Sequence, residues 1–250
     1  RYARDVLEIA ETFRPDLVVS NELLFGVMAA CETRGLPLAL LTANVWCFPT
    51  RADVPPFGPG FIAEDSPAAL RRDRIVRRVT ARLFDAGLAD LNACRRSLGL
   101  APLAATLDQL SIVRLALLST AAAFDFGARP PPAPFVYAGP LYSAPDGSAP
   151  RPFAAPAPDR SRRTVLISFS TTYQRQEKAI ARSVEAVAGL DVDGVLTLGP
   201  AMRHHAPPRA ANVTVFDYAP HDALIPSCAA VVCHGGHGTL LRPLSQGVPV

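Results

Sequence analysis

An α/β fold with two parallel-sheet domains is what this sequence predicts, and three observations carry it. Short, nearly continuous apolar runs alternate with longer stretches of helical periodicity, as expected for strands covered on both faces of a parallel sheet. That alternation runs through residues 1–142, stops, and restarts over 164–250. Between the two, residues 130–158 hold ten of the chain's 25 prolines, so 143–163 reads as an extended linker. A chain of 250 residues suits two domains better than one.

The elements follow in order. Residues 1–14 read as a helix with Val6, Leu7, Ile9, Ala10 and Phe13 on or near one face, and Arg14-Pro15-Asp16 breaks it. Leu17-Val18-Val19 is a short buried strand. A helix over 24–33 ends at Gly35, and Leu38–Thr42 is the next strand. Residues 44–67 form a long loop with five prolines and the aromatics Trp46, Phe48, Phe57 and Phe61. One long helix is expected over 67–98, stopped by Gly99, then a helix over 103–110 and a strand over 115–119. Phe135-Val-Tyr137 begins a closing strand. In the second half, strands are expected at 165–168, 194–198, 213–216 and 229–233. Helices are expected at 176–188, 222–225 and 239–245.

Bulk properties exclude several classes. No apolar run approaches the roughly 20 residues that span a bilayer, and residues 1–13 are too charged for a signal peptide. A net charge of +3 without an aromatic-interleaved basic module gives no case for nucleic acid. Cys31, Cys47, Cys94, Cys228 and Cys233 form no C-x-x-C pair and read as reduced thiols, so a cytoplasmic protein is expected. Cys228, Cys233, His234 and His237 have no usual zinc spacing, so no metal is expected.

The most informative stretch is 217–250. An apolar run, Ala229–Cys233, meets the Gly-rich turn His234-Gly-Gly-His-Gly-Thr239, and a helical segment follows. Strand, Gly-rich turn and helix N-terminus together aim unpaired N–H groups and the positive end of the helix dipole at one point. Such a point binds phosphate or pyrophosphate. Glycine permits close approach of phosphate to backbone, and His234 and the Thr239 hydroxyl add donors. Tyr218-Ala-Pro-His221, an Asp-x-Leu helix starting at Asp222, and Gly247-Val-Pro249 flank the turn in order.

Those four elements resemble the donor signature of family 1 glycosyltransferases of the GT-B type. The resemblance implies two Rossmann-like domains facing a cleft, both incomplete in this chain, which reads as an internal piece of a longer protein. It implies an acceptor-binding domain at 1–142 and a donor-binding domain at 164–250. It implies a metal-independent, inverting transfer of sugar from a UDP- or dTDP-sugar to a hydroxyl of a small apolar acceptor, with no cofactor. The diphosphate would lie against His234, Gly235, Gly236, His237, Gly238 and Thr239, with Ser170 and Thr171 from the Ser168-Phe-Ser-Thr-Thr172 segment. The base would lie on Tyr218, Ala219, Pro220 and His221, where the family carries Trp-x-Pro-Gln. Ser170 could instead shape its own turn.

The family often places an aspartate after the strand that matches Leu17–Val19, to orient a catalytic histidine. Here Asn21 and Glu22 stand there; both also fit a helix N-terminus, and the base itself is expected upstream of Arg1. Trp46, Phe48, Phe57 and Phe61 would wall an acceptor site, or pack the loop onto its own domain. The stretch Arg71–Arg82 carries six arginines and could rest on an anionic membrane, or be a solvated face. Two other functions fit the same turn: a sugar-nucleotide epimerase or hydrolase, and a non-catalytic nucleotide-sugar binder, which Asn21 in place of aspartate would favour.

Overall fold

The computed structural model describes residues 1–127, 130–141, 162–170, 172–199, 202, 205–206 and 208–250. The chain divides into two compact units, Arg1–Leu141 and Tyr142–Val250. Most of the expected linker, 143–161, lies outside the described residues. No helix among the described residues is long and apolar enough to cross a membrane.

The first unit is a four-stranded parallel sheet in the order β1 (Val18–Ser20), β2 (Leu38–Thr42), β3 (Val113–Leu118), β4 (Phe135–Tyr137). Helices α1 (Tyr2–Phe13) and α2 (Phe25–Arg34) end where the sequence predicts. Arg14 takes a left-handed conformation at φ 50°, and Gly35 does so at φ 64°. The run Leu17–Val19, expected to be buried, is not. β1 pairs on one side only among the described strands, so Leu17 and Val19 stay about half exposed, at 51% and 56%.

The single helix expected over 67–98 is two. α3 (Pro67–Phe84) and α4 (Leu88–Ser97) are separated by a 3₁₀ turn at Asp85–Gly87. The break coincides with a contact from 21 residues along the chain: the Asp85 carboxylate accepts the Thr106 N–H at 2.9 Å. The helix expected at 103–110 is a 3₁₀ helix, Thr106–Ile112. Met28, Leu38, Leu40, Ala116 and Leu118 are fully buried and form the core with Trp46 and Phe48.

The second unit is also a four-stranded parallel sheet, in the order β7 (Val213–Phe216), β6 (Val192–Thr197), β5 (Arg163–Ser168), β8 (Cys228–Cys233). Side chains alternate faces along each strand. Leu166, Val195 and Val231 join Leu224, Ile225 and Val248 on one side. Ile167 and Leu196 join Ile180, Val184 and Val187 of α5 (Glu177–Ala188) on the other. This two-sided burial is why the strands read as unbroken apolar runs. The short α6 (His221–Leu224) precedes β8, and α7 (His237–Ser245) follows it.

Candidate functional site

The Gly-rich segment is a strand-to-helix turn. β8 ends at Cys233, Gly235 sits at φ +81°, and Gly236 caps α7. The first helical hydrogen bond is Leu240 N–H to the Gly236 carbonyl, 2.9 Å, so the donors before it point out of the helix start. The two glycines serve different purposes. Gly235 holds a left-handed conformation that a Cβ disfavours. At Gly236 a Cβ would overlap the imidazole of His234. The His234 ring therefore folds back over its own turn. It also stands 6.2 Å from the Phe169 ring at 24°, close to parallel.

Because β5 and β8 are paired neighbours, with Ser168 opposite Cys233, the segment after β5 reaches the same end of the sheet as the turn. There Ser170 is spent on its own loop. Its Oγ accepts the Thr172 N–H at 3.1 Å and lies 2.9 Å from Thr172 Oγ1, and its carbonyl accepts from Gln176 Nε2 at 3.0 Å. A buried Ser170 with these partners shapes the turn. Thr171, the other expected phosphate donor, lies outside the described residues.

The segment after β7 divides by alternate residues. Tyr218 is exposed at 60%, while Ala219 is buried in the core at 4%. His221 turns inward, with Nε2 3.3 Å from both Ser168 Oγ and Thr197 Oγ1. Burial, and then the nearby Arg242 charge, hold its imidazole below the usual histidine range, against a smaller opposing pull from Asp222. Of the four expected base-site residues, Tyr218 is exposed, Pro220 and His221 are half-buried, and Ala219 is buried. The His221 imidazole stands between the ends of β5 and β6. Asp222 is held by Arg242 of α7 at 3.0 Å. Among the described residues no cluster of His, Cys, Asp and Glu is placed to hold a metal ion.

In the first unit, Asn21 and Glu22 follow β1. Asn21 Oδ1 accepts the Leu23 N–H at 2.9 Å, and its Nδ2 donates to Glu22 Oε2 at 2.7 Å. Glu22 is buried at 6%, and burial raises its carboxyl above the ordinary range. Across from it, burial and then the Glu22 charge push the Cys47 thiol up to about 11.

The four aromatics expected to form one acceptor wall do not stand together. Trp46 and Phe48 are core residues, 4% and 2% exposed. Phe48 meets Phe25 and Phe84 edge-on, Trp46 meets Phe135, and the Trp46 Nε1 donates to Thr50 Oγ1 at 2.7 Å. Phe61 lies under the Arg72 guanidinium at 4.0 Å. Phe57 alone of the four is mostly exposed, at 55%. Trp46 and Phe135 line a cavity of about 290 Å³ with Leu110, Val113 and Pro134. Its walls include the starts of β3 and β4, the end of the sheet opposite to that used by ligands of open parallel sheets.

What sequence reasoning missed is the anchorage of that loop. Arg51 is buried and pairs with Asp53, Asp125 and the Tyr137 hydroxyl. Arg77 of α3 donates to the carbonyls of Arg51, Ala52 and Val54. These residues are up to 86 positions apart, and no local spacing signals that they meet.

No family model matches the chain. A curated relative, 4'-demethylrebeccamycin synthase of Lentzea aerocolonigenes, is 31% identical over 98% of this chain; the chain spans 58% of that protein's length. Aklavinone 7-beta-L-rhodosaminyltransferase of Streptomyces galilaeus is 38% identical over 96 residues, 36% of this chain and 21% of that protein. Among solved structures, the glycotransferase of kitacinnamycin superposes with a TM-score of 0.65 at 20% identity, covering 99% of this chain and 60% of that one. Glycosyltransferase VinC in complex with DTDP gives 0.58 at 24% identity, covering 99% and 55%. These neighbours are glycosyltransferases of the GT-B fold, and the likeness establishes that fold.

Proposed function

The chain belongs to the family 1-like glycosyltransferases of the GT-B fold, and from that premise we propose that the whole protein moves a sugar from a nucleotide diphosphate to a hydroxyl of a small natural-product acceptor. The observation that carries this reading is the β8–α7 turn, in which His234 is folded over Gly236 at the start of a helix. Fixed N–H donors, the helix dipole and the imidazole can stabilise charge gathering on the departing diphosphate, the work that a divalent cation does elsewhere. The transfer therefore proceeds without a metal. The second unit binds the donor, and the first unit the acceptor. The nucleotide is UDP or dTDP, and dTDP is the one that VinC holds. The relatives' names favour this reading over an epimerase, a hydrolase or a non-catalytic binder. Five free cysteines suit a reducing cytoplasm.

The test is a calorimetric titration of UDP and dTDP into the full-length protein beside His234→Ala. Binding that the variant loses for the diphosphates, and keeps for uridine and thymidine, supports the assignment. Equal loss for nucleotide and nucleoside, or no binding to folded wild type, overturns it.

A membrane surface is a further partner in this reading. α3 exposes Ile75, Val79 and Leu83 in one i, i+4 row, at 51%, 55% and 70%. Arg71, Arg74, Arg78 and Arg82 flank that row and are exposed, whereas Arg72 and Arg77 turn inward. An apolar stripe edged by cations suits an anionic bilayer surface. Phosphatidylglycerol vesicles should co-sediment the protein where phosphatidylcholine vesicles do not; equal partitioning would discard the membrane contact.

A further inference from the structure

His221 is the side chain that the donor reading leaves without a task. Its backbone closes the Tyr218-Ala-Pro segment, and its half-buried imidazole reaches toward the sheet. Nε2 stands 3.3 Å from Ser168 Oγ, on the last residue of β5, and 3.3 Å from Thr197 Oγ1, on the last residue of β6. The next residue, Asp222, is paired with Arg242 of α7 at 3.0 Å. The imidazole therefore joins the turn after β7 to the ends of β5 and β6, while Asp222 reaches the last turn of α7. The end of β5 lies opposite Cys233, where the Gly-rich turn begins, and the Phe169 and His234 rings stand nearly parallel with centroids 6.2 Å apart. A side chain at this junction bears on the spacing of the two turns.

We propose that His221, in its neutral form, is a positioning residue that ties the base-binding turn to the ends of β5 and β6 beside the phosphate-binding turn, so that donor affinity falls when this imidazole is protonated. The inference rests on the donor reading given above. With two hydroxyls as partners, a neutral imidazole can accept at Nε2 from Ser168 or Thr197 or, in its other tautomer, donate there. An imidazolium cannot accept. It would have to donate from Nε2 instead, with the hydroxyls re-aimed, in a space that already disfavours charge. The charged groups bearing on it are Arg242 of α7, which opposes a second cation, and Asp222 on its own helix, which favours one. β5 and β6 present uncharged hydroxyls. Burial outweighs the Asp222 attraction, and the imidazole is held below its ordinary value of 6.5.

The test compares wild type, His221→Gln and His221→Ala in full-length protein, by calorimetric titration of UDP and dTDP at about pH 8 and about pH 5.5. Glutamine keeps a hydrogen-bonding side chain and does not titrate. His234 and His237 are present in all three proteins, so a difference in pH response between wild type and His221→Gln belongs to His221. Wild type should lose more affinity between about pH 8 and about pH 5.5 than His221→Gln does, by less than about tenfold because the imidazole is held below 6.5. His221→Ala should be weak at both. Parallel pH responses in wild type and His221→Gln would overturn the proposal, as would full affinity in a folded His221→Ala. The donor reading fails separately, if folded wild type binds neither nucleotide at about pH 8. Should His221→Ala not fold, the wild-type and glutamine pair still decides.

Discussion

The two units share a parallel four-stranded sheet but hold their candidate sites by different means. In the second, the recognition element is backbone: a glycine at φ +81°, a second glycine under an imidazole, and the start of a helix, all inside six consecutive residues. In the first, the loop expected to meet the acceptor is held by side chains converging from far along the chain. Arg51 reaches Asp125 and Tyr137, and Arg77 reaches back to the carbonyls of 51, 52 and 54. A site made of contiguous backbone depends on few residues and tolerates surface drift. A site made of converging side chains fails as a unit when one member is lost.

The largest expected effect tests that contrast directly. Arg51→Ala leaves Asp53 and Asp125 without their buried cation, and should destabilise the first unit by about 3–5 kcal/mol. Denaturant titration followed by Trp46 fluorescence reads that unit, because Trp46 is the chain's one tryptophan. The second unit, followed by hydrogen exchange of its β5–β8 amides, should keep its transition. A loss below about 1 kcal/mol would mean that the arginine is not the loop's anchor.

The counterpart in the second unit separates strain from contact. Gly235→Ala should cost about 1–2 kcal/mol of that unit's stability through its left-handed backbone. Gly236→Ala should instead displace the His234 ring. Diphosphate affinity would drop roughly 10- to 100-fold while stability changes little. If both glycines lose stability alike and neither affects binding, the turn is structure alone.

Legibility in the sequence follows the same division. Period and punctuation gave every strand and most helix ends, since Gly35, Gly99 and Arg14 act locally. The 67–98 helix was misread because its break coincides with Asp85 reaching Thr106, a contact no local signal announces. Four aromatics in one loop suggested one wall. The core claimed Trp46 and Phe48 because Phe25, Phe84 and Phe135 arrive from other segments to meet them. His221 was expected in the base-binding turn, and the hydroxyls beside its Nε2 sit 53 and 24 residues away along the chain.

Two glutamates of the first unit sharpen the contrast through opposite responses to pH. Arg95 holds the Glu32 carboxyl below its ordinary 4.5, so its stabilisation is present above that pH and is lost as pH falls through the folded value. Burial holds Glu22 above 4.5, so the stability tied to its protonated form is present below that pH and is lost as pH rises through the folded value. At neutral pH, Glu32→Gln should therefore destabilise and Glu22→Gln should stabilise. Melting temperatures of opposite sign relative to wild type would confirm the split. A stabilising Glu22→Gln that also abolishes turnover would mark Glu22 as a carboxylate kept for chemistry at the expense of stability.

Phe57 carries the smallest effect on the fold and the clearest one on the acceptor reading. At 55% exposure it contributes little packing, so Phe57→Ala should change stability by less than about 0.5 kcal/mol. Trp46→Ala, by contrast, removes a core ring and should cost about 3–5 kcal/mol. If the loop meets an apolar acceptor, it does so through Phe57, and the variant should raise the acceptor KM with kcat and donor affinity unchanged. The two substitutions then act on opposite axes: one unfolds the unit without touching recognition, and the other weakens recognition without touching the fold. A Phe57→Ala enzyme with unaltered KM would move the acceptor away from this loop altogether, leaving Arg51 and its partners as the anchor of a purely structural segment.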